Sequence, residues 1–338
     1  MSIQYQILGR PGRDNAMFVW VNSGTQFFRL LFDCGEGLLR EIRQSDIKAI
    51  DHLFFSHTHI DHIAGFDYFF RRNYDREEKP VYVWGPEKTS GIIQHRLLGF
   101  IWNLISEAPG KWYVTDISES SMASFSFKTK EGFEVKHFEG ETDFNGLVLE
   151  TPGFKVKAAI MNHIIPTIAY VVSENDSLNI NKAELLQSGL PQGAWLEKLK
   201  DLRLDENEII SLDGNGFRLK DLREKLLITT PGEKIAYLTD FVNDDLSRRR
   251  AIELIEGCDT VVCESQYSYL DEELAKKNYH MTTRQTASLA KEAGAKKLIL
   301  FHVSERYSQE EDYPALLQEA RKIFPETYFP EEWEIPEE

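Results

Sequence analysis

Residues 54–70 read FFSHTHIDHIAGFDYFF and place His57, His59, Asp61 and His62 within six positions. Neutral imidazole and carboxylate are ligands for zinc and, with less preference, for manganese or iron. A single histidine among apolar residues is ordinarily a core residue, whereas four such groups closing an apolar run read as a metal site. A strand turns every second side chain to one side, so His57 and His59 converge on one point. A tight turn then carries Asp61 and His62 to a second point nearby. Two metals need more ligands than one loop supplies. His163 closes FKVKAAIMNH, Asp240 closes KIAYLTD and His302 closes KKLILFH, each a polar group at the end of a strand-like run. Together with the loop they complete two sites that share one carboxylate. Six of the nine histidines are then used if His280 joins them, and His52, His95 and His137 read as surface or structural.

These groups need strand ends to hold them. AMFVWVNSG and QFFRLLFDCGEG are β-rich runs joined by a turn-like Asn22-Ser23-Gly24, and IDHLFFSH reads as a buried strand running into the histidines. PVYVWGP is a strand with a Gly-Pro stop. LLREIRQS and GIIQHRLLGFIWNLI have helical character, the second with apolar residues at 92, 93, 97, 98, 101, 104 and 105. SFSFKTK, FEVKHFEG and FKVKAAIMNH alternate as hairpin strands do. KIAYLTD, TVVCES and KKLILFH are strands. Between the last two, Thr282 with Gln285 forms a capping-box pattern and Gly294 suits a helix C′ position, which predicts a strand-helix-strand unit. Many strands with interposed helices place the chain in the α/β class. Residues 174–230 are polar and charged, with turns at PQG and DGNG. They read as small helices and a hairpin inserted into a single domain spanning 1–338, either a solvated excursion or a substrate-contacting arm.

The 338 residues are 42% hydrophobic and 28% charged, enough for a sizeable core. No apolar run of about 18 residues indicates a transmembrane helix. The start, MSIQYQILGRPGRDN, lacks the basic-then-apolar order of a secretory signal. Cys34, Cys258 and Cys263 cannot all pair and read as reduced thiols of a cytoplasmic protein. A formal net charge of −16 argues against a generic grip on nucleic acid. A local basic patch or a metal site can still face a phosphate. The candidate patches are RR at 71–72 and RRR at 248–250.

HxHxDH at 57–62, followed by strand-terminal His163, Asp240 and His302, resembles the metallo-β-lactamase superfamily. The finer resemblance is to the ribonuclease Z family, the tRNA 3′-processing endonucleases. It is carried by LLFDCGEGLLREI, HIIPTIAYVVSE, GLPQGAW and, above all, HMTTRQTASLAKEAGAKKLILFHVSERY at 280–307, and it covers nearly the whole chain. The resemblance implies an αββα sandwich with an inserted arm. It implies two Zn2+ per chain, or Mn2+ or Fe2+ in their place: His57, His59 and His163 on the first, Asp61, His62 and His302 on the second, and Asp240 bridging. His280 resembles the general acid that protonates the leaving oxygen, and Glu264 matches a family glutamate whose role is either to orient His280 or structural. Asp61 also resembles the group that handles the nucleophile's proton. The implied substrate is precursor tRNA, and the implied assembly is a homodimer in which one subunit's arm serves the other's site. Departures accompany these matches: LGRPGRDNAM keeps only the Gly, Pro and R-x-N of the family's N-terminal loop, and the insertion lacks a Gly-, Lys- and Arg-rich tip. Two other readings stay open, a hydrolase of a small phosphodiester or other ester and a non-catalytic binding subunit.

Overall fold

The computed structural model describes residues 2–23, 26–105, 107–309 and 311–335. Gly24 of the expected Asn22-Ser23-Gly24 turn lies outside the described residues. The chain divides into two compact units, Met1–Glu174 with Glu233–Glu338, and Asn175–Gly232.

The larger unit holds two sheets. The first has eight strands in chain order: β1 (Ser2–Gly9), β2 (Asn15–Asn22), β3 (Phe27–Phe32), β4 (His52–Phe54), β5 (Val81–Pro86), β6 (Lys111–Ile117), β7 (Ser121–Lys128) and β8 (His137–Asp143). Strands β3 to β6 are parallel and the flanking pairs antiparallel. After β9 (Leu147–Glu150), β10 (Phe154–His163) and β11 (Ile165–Glu174), the smaller unit supplies β12 (Ser177–Ile180), β13 (Ile209–Leu212), β14 (Asn215–Arg218) and β15 (Leu227–Thr230). The larger unit resumes with β16 (Lys234–Leu238), β17 (Thr260–Glu264), β18 (Lys297–Phe301) and β19 (Thr327–Tyr328). Its second sheet runs β19-β18-β17-β16-β11-β10-β9, with β16 to β19 parallel.

Strand alternation explains how these sheets are covered. Phe32 and Phe54 turn to the core between the sheets, where their rings lie 5.6 and 5.3 Å from Tyr170 of β11. Their neighbours Leu31 and Leu53 turn to the other face, where Phe66, Phe69, Ile93 and Leu97 from helices pack on them. All three residues of β4 are buried, as a parallel strand covered on both faces requires. Ala287, Leu289 and Ala290 of the helix Thr283–Glu292 cover the far face of the second sheet. The layers are helix, sheet, sheet, helix, the expected αββα sandwich. That helix starts with the capping box of Thr282 and Gln285 and links parallel β17 to β18. Gly294 follows with φ 64.

The helical run expected to reach 105 ends at Leu97. Trp102 folds back instead: its Nε1–H donates to the Leu97 carbonyl at 2.9 Å, and its ring sits 5.0 Å from Phe133 and 5.7 Å from Phe70. Aromatic packing outweighs the helical periodicity of 98–105. The smaller unit has its own core of Leu185, Leu199, Ile210, Leu219, Leu222 and Leu226. Its β13–β14 hairpin turns at Asp213 and Gly214, with φ 50 and 82, as a two-residue primed turn demands. Among the described residues, no helix is long and apolar enough to cross a membrane.

Candidate metal centre

The parallel strands deliver their C-terminal ends to one edge of the sandwich, and the chemistry-bearing residues sit there. Glu264 is the last residue of β17, His302 follows the end of β18, and Asp240 lies two past the end of β16. His163 is the last residue of β10. Strand β4 stops at Phe54, short of the strand expected to reach His57. The backbone beyond leaves the sheet because Asp33 draws it aside, accepting from the Ser56 amide and hydroxyl, both at 2.7 Å. His59 itself has extended backbone (φ −64, ψ 157), and the rings of His57 and His59 come together 4.4 Å apart. A single helical turn, Ile60–Ile63, replaces the expected tight turn and carries Asp61 and His62. It is tied down by the Cys34 amide donating to the His62 carbonyl at 2.7 Å and the Gly65 amide donating to the Cys34 carbonyl at 2.8 Å. Gly35 makes this approach possible: a Cβ there would fall 2.6 Å from the Asp61 carbonyl oxygen.

Asp240 lies at the middle of the cluster. Its Oδ2 is 3.6 Å from His57 Nε2, 3.3 Å from His62 Nε2 and 3.7 Å from His163 Nε2, and its Oδ1 is 3.4 Å from His302 Nδ1. Asp61 Oδ2 is 3.3 Å from His62 Nε2 and 3.7 Å from His302 Nε2. His57 Nε2 and His59 Nδ1 stand 2.9 Å apart. Two overlapping sets result, His57, His59, His163, Asp240 and Asp61, His62, Asp240, His302, each with its ligand atoms within 4.8 Å of one another. All seven ligands expected from the sequence are therefore brought together. A third set adds Glu264 and His280 to Asp240 and His302. His52, His95 and His137 stay apart: His52 accepts from Trp84 Nε1–H at 3.1 Å, His95 bonds the Gly91 carbonyl at 2.7 Å, and His137 faces Glu131 at 2.6 Å.

The site fits a cation. His62 Nε2 and His302 Nδ1 are buried without a hydrogen-bond partner, a state native proteins avoid. A metal ion between the imidazoles and carboxylates satisfies both nitrogens. An all-imidazole and carboxylate donor set suits zinc, manganese or iron. Outer partners aim the rings: His163 Nδ1 meets the Tyr279 carbonyl at 2.8 Å, and His62 Nδ1 meets Asp33 Oδ2 at 2.8 Å. Asp33, Tyr279, Asp240 and His302 all hold positive φ, between 50 and 60. Left-handed backbone at non-glycine residues persists only where its surroundings over-determine it.

The protonation states divide the site by role. Burial, helped by neighbouring His62, drives the His57 imidazolium down to about 2, leaving a neutral ligand. Burial alone would lower His62 too, but the Asp33 and Asp240 carboxylates outweigh it and raise its pKa well above the usual value. Asp240 and Asp61 resist the upward push of burial, the former through His302 and His62, the latter through the same two rings beside it. Both stay anionic. His280 is held up at about 9 because the charge and hydrogen bond of Glu264 overcome burial. Glu264 bridges two elements, accepting from the Phe241 amide at 2.6 Å and from His280 Nδ1 at 2.9 Å. The arrangement can bind metal, hold an anionic group against it, and present a protonated imidazole beside it.

Asp33 is the functional residue that sequence reasoning passed over. It is fully buried and takes Ser56, His62 and, at 2.9 Å, the Tyr237 hydroxyl. Its signal was available, since RLLFD ends an apolar run in an acid just as KIAYLTD does. The candidate basic patches are partly engaged, while Arg71 and Arg249 are exposed. Arg250 pairs with Glu119 at 2.9 Å, Arg248 pairs with Glu292 at 2.5 Å, and the Arg72 guanidinium lies 3.3 Å from the centre of the Tyr68 ring.

Residues 28–157 and 224–303 match the model of the beta-lactamase superfamily domain. The chain is 39% identical over 327 residues to a protein of Deinococcus radiodurans named ribonuclease Z, covering 97% of each. Among solved structures it resembles the metallo-beta-lactamase fold protein YhfI from Bacillus subtilis, with TM-score 0.57 at 15% identity over 97% of this chain and 96% of that one. It also resembles the short form of human tRNase Z, with TM-score 0.51 at 20% identity over 91% of this chain and 95% of that one. At such identities these two likenesses speak for the fold.

Proposed function

From the premise that this chain belongs to the beta-lactamase superfamily and, within it, to the ribonuclease Z family, we propose that it is a metal-dependent endoribonuclease that cuts precursor tRNA at its 3′ end. The observation that carries this reading is the seven-ligand cluster around Asp240 with His280 and Glu264 at its side. His57, His59 and His163 would hold one Zn2+ and Asp61, His62 and His302 a second, with Asp240 between them. When bound, the metal pair lowers the pKa of water towards about 7 and neutralises phosphate charge. The chain's own groups complete the chemistry. Asp61, with 39% of its side chain exposed, takes up the nucleophile's proton. His280, with Nδ1 engaged by Glu264, donates from Nε2 to the departing 3′ oxygen. Glu264 fixes that ring's orientation.

The Asn175–Gly232 unit is proposed as the arm that grips tRNA, in a homodimer where one subunit's arm serves the other's site, and the protein is placed in the cytoplasm. Three buried free cysteines accord with that compartment. A second reading, hydrolysis of a small phosphodiester, is favoured by one observation. Four of the arm's cations are engaged within it: Lys198 by Glu208 at 2.8 Å, Arg203 by Asp201 at 2.7 Å, Arg218 by Asp221 at 3.0 Å, and Arg223 by the Asp201 carbonyl at 2.6 Å. The deciding experiment gives the zinc- or manganese-loaded protein a precursor tRNA with a 3′ trailer and, separately, bis(p-nitrophenyl) phosphate. Cleavage of the tRNA at the trailer junction supports the first reading. Turnover of the diester with intact tRNA selects the second.

A further inference from the structure

Two isoleucines flank the cluster and are not held by the core. Ile60 follows His59 and is 78% exposed, and Ile164 follows His163 and is 75% exposed. The rings of His59 and His163 lie 5.3 Å apart, so the two segments that carry these isoleucines meet at the centre. Ile164 is also strained. It occupies the single-residue tip between β10 and β11, where His163 pairs with Ile165, at φ 65. A β-branched residue in left-handed backbone is an outlier, and glycine or asparagine would sit there more easily. Asn162 holds the tip in place. Its carbonyl accepts from the Val242 amide at 2.9 Å, its Nδ2 donates to Asp244 at 2.9 Å, and its Oδ1 accepts from the Ile164 amide at 3.3 Å. Neither burial nor backbone preference accounts for an isoleucine at this point, which leaves what the side chain meets outside the protein.

We propose that Ile60 and Ile164 form an apolar clamp that packs against a nucleobase adjoining the scissile phosphate. This rests on the ribonuclease reading. A phosphodiester seated at the cluster carries a nucleoside on each side, and an unstacked base needs an apolar surface. Hydrolysis depends on the ligands and His280, while the clamp selects nucleic acid over a bare diester by binding.

The test compares the wild type with Ile60→Asn and Ile164→Asn on precursor tRNA, intact or carrying an abasic nucleotide on either side of the cleaved bond. On intact substrate each variant should raise KM about five- to thirtyfold with kcat little changed. Removing the clamped base should weaken the wild type by a similar factor and the variants no further. Ile164→Asn should melt at or above the wild-type temperature, because asparagine tolerates the left-handed tip. An unchanged KM on intact tRNA, or equal abasic sensitivity in all three proteins, overturns the clamp while leaving the ribonuclease reading standing. A wild type that leaves precursor tRNA uncut overturns the ribonuclease reading instead. The same comparison on a dinucleotide against its abasic form then decides the clamp.

Discussion

Replacing Asp33 by asparagine keeps the side chain's shape and removes its charge. In the wild type Oδ2 takes the Ser56 hydroxyl at 2.7 Å, the Tyr237 hydroxyl at 2.9 Å and His62 Nδ1 at 2.8 Å. Because a carboxylate only accepts, His62 must carry its proton on Nδ1, which leaves Nε2 free to face Asp240 and Asp61. If the carbonyl oxygen of the substituted side chain keeps the Ser56 amide, its NH2 confronts His62 and donates to Nδ1. The imidazole proton then moves to Nε2, the atom a metal needs. Losing an outer partner of this kind weakens metal binding about 10- to 100-fold, or roughly 1.4–2.7 kcal/mol. The metal-free protein should also lose about 1–3 kcal/mol of stability, because charge-assisted hydrogen bonds become neutral ones. Competition with a chromophoric chelator measures the first quantity and denaturant unfolding in excess chelator the second. Tyr237→Phe is the control. It removes one donor to Asp33 and leaves the His62 tautomer alone, so it should lower stability by about 1 kcal/mol with metal affinity nearly unchanged. An Asp33→Asn protein that binds metal as tightly as the wild type would refute the tautomer argument.

Four further outcomes are expected. His280→Ala should keep its metal and lower kcat by about 10²–10⁴ on precursor tRNA, with a smaller loss on bis(p-nitrophenyl) phosphate, whose leaving group needs little protonation; equal losses on both would remove the general-acid role. Metal affinity should rise with pH and metal uptake should release protons, because His62, raised by Asp33 and Asp240 against burial, must give one up. Calorimetry in buffers of different ionisation enthalpy reads that release, and uptake with no proton displaced would contradict it. Burial lowers His52 to about 4, so its contribution is fully present above the unfolded value of 6.5 and is lost as pH falls towards 4; relative to His52→Gln, the wild type should lose about 3 kcal/mol between pH 7 and pH 4 in denaturant titrations. Removing Asn175–Gly232 and joining Glu174 to Glu233, whose backbones already meet at 2.9 Å, should leave bis(p-nitrophenyl) phosphate turnover intact and abolish tRNA cleavage; a deletion that still cuts tRNA sinks the arm assignment.

The candidate ligand set was legible because metal chemistry demands particular residue types at strand ends. HTHIDH carries four of them in six residues, and His163, Asp240 and His302 each close an apolar run, so type and position in the chain were enough. The helix between β17 and β18 was legible for a similar reason, since its capping box and C-terminal glycine are local signals. Packing decided other elements. The helical spacing of 98–105 lost to Trp102, which gains more from Phe70 and Phe133 than from another helical turn. Strand β4 ended at Phe54 because Asp33, 23 positions from Ser56 in sequence, takes the Ser56 amide out of the ladder. Asp33 showed that it is an acid at a strand end, but not which ring it would meet. The share of Asp240 among four imidazoles, the bridge of Glu264 from Phe241 to His280, and the strained tip at Ile164 depend on groups that lie far apart along the chain. Residue chemistry and short-range pattern are written along the chain and mark out the candidate metal site. Orientation, tautomer, protonation and strain arise only where parallel strand ends converge, because burial and neighbouring charge set them and both are properties of the folded chain.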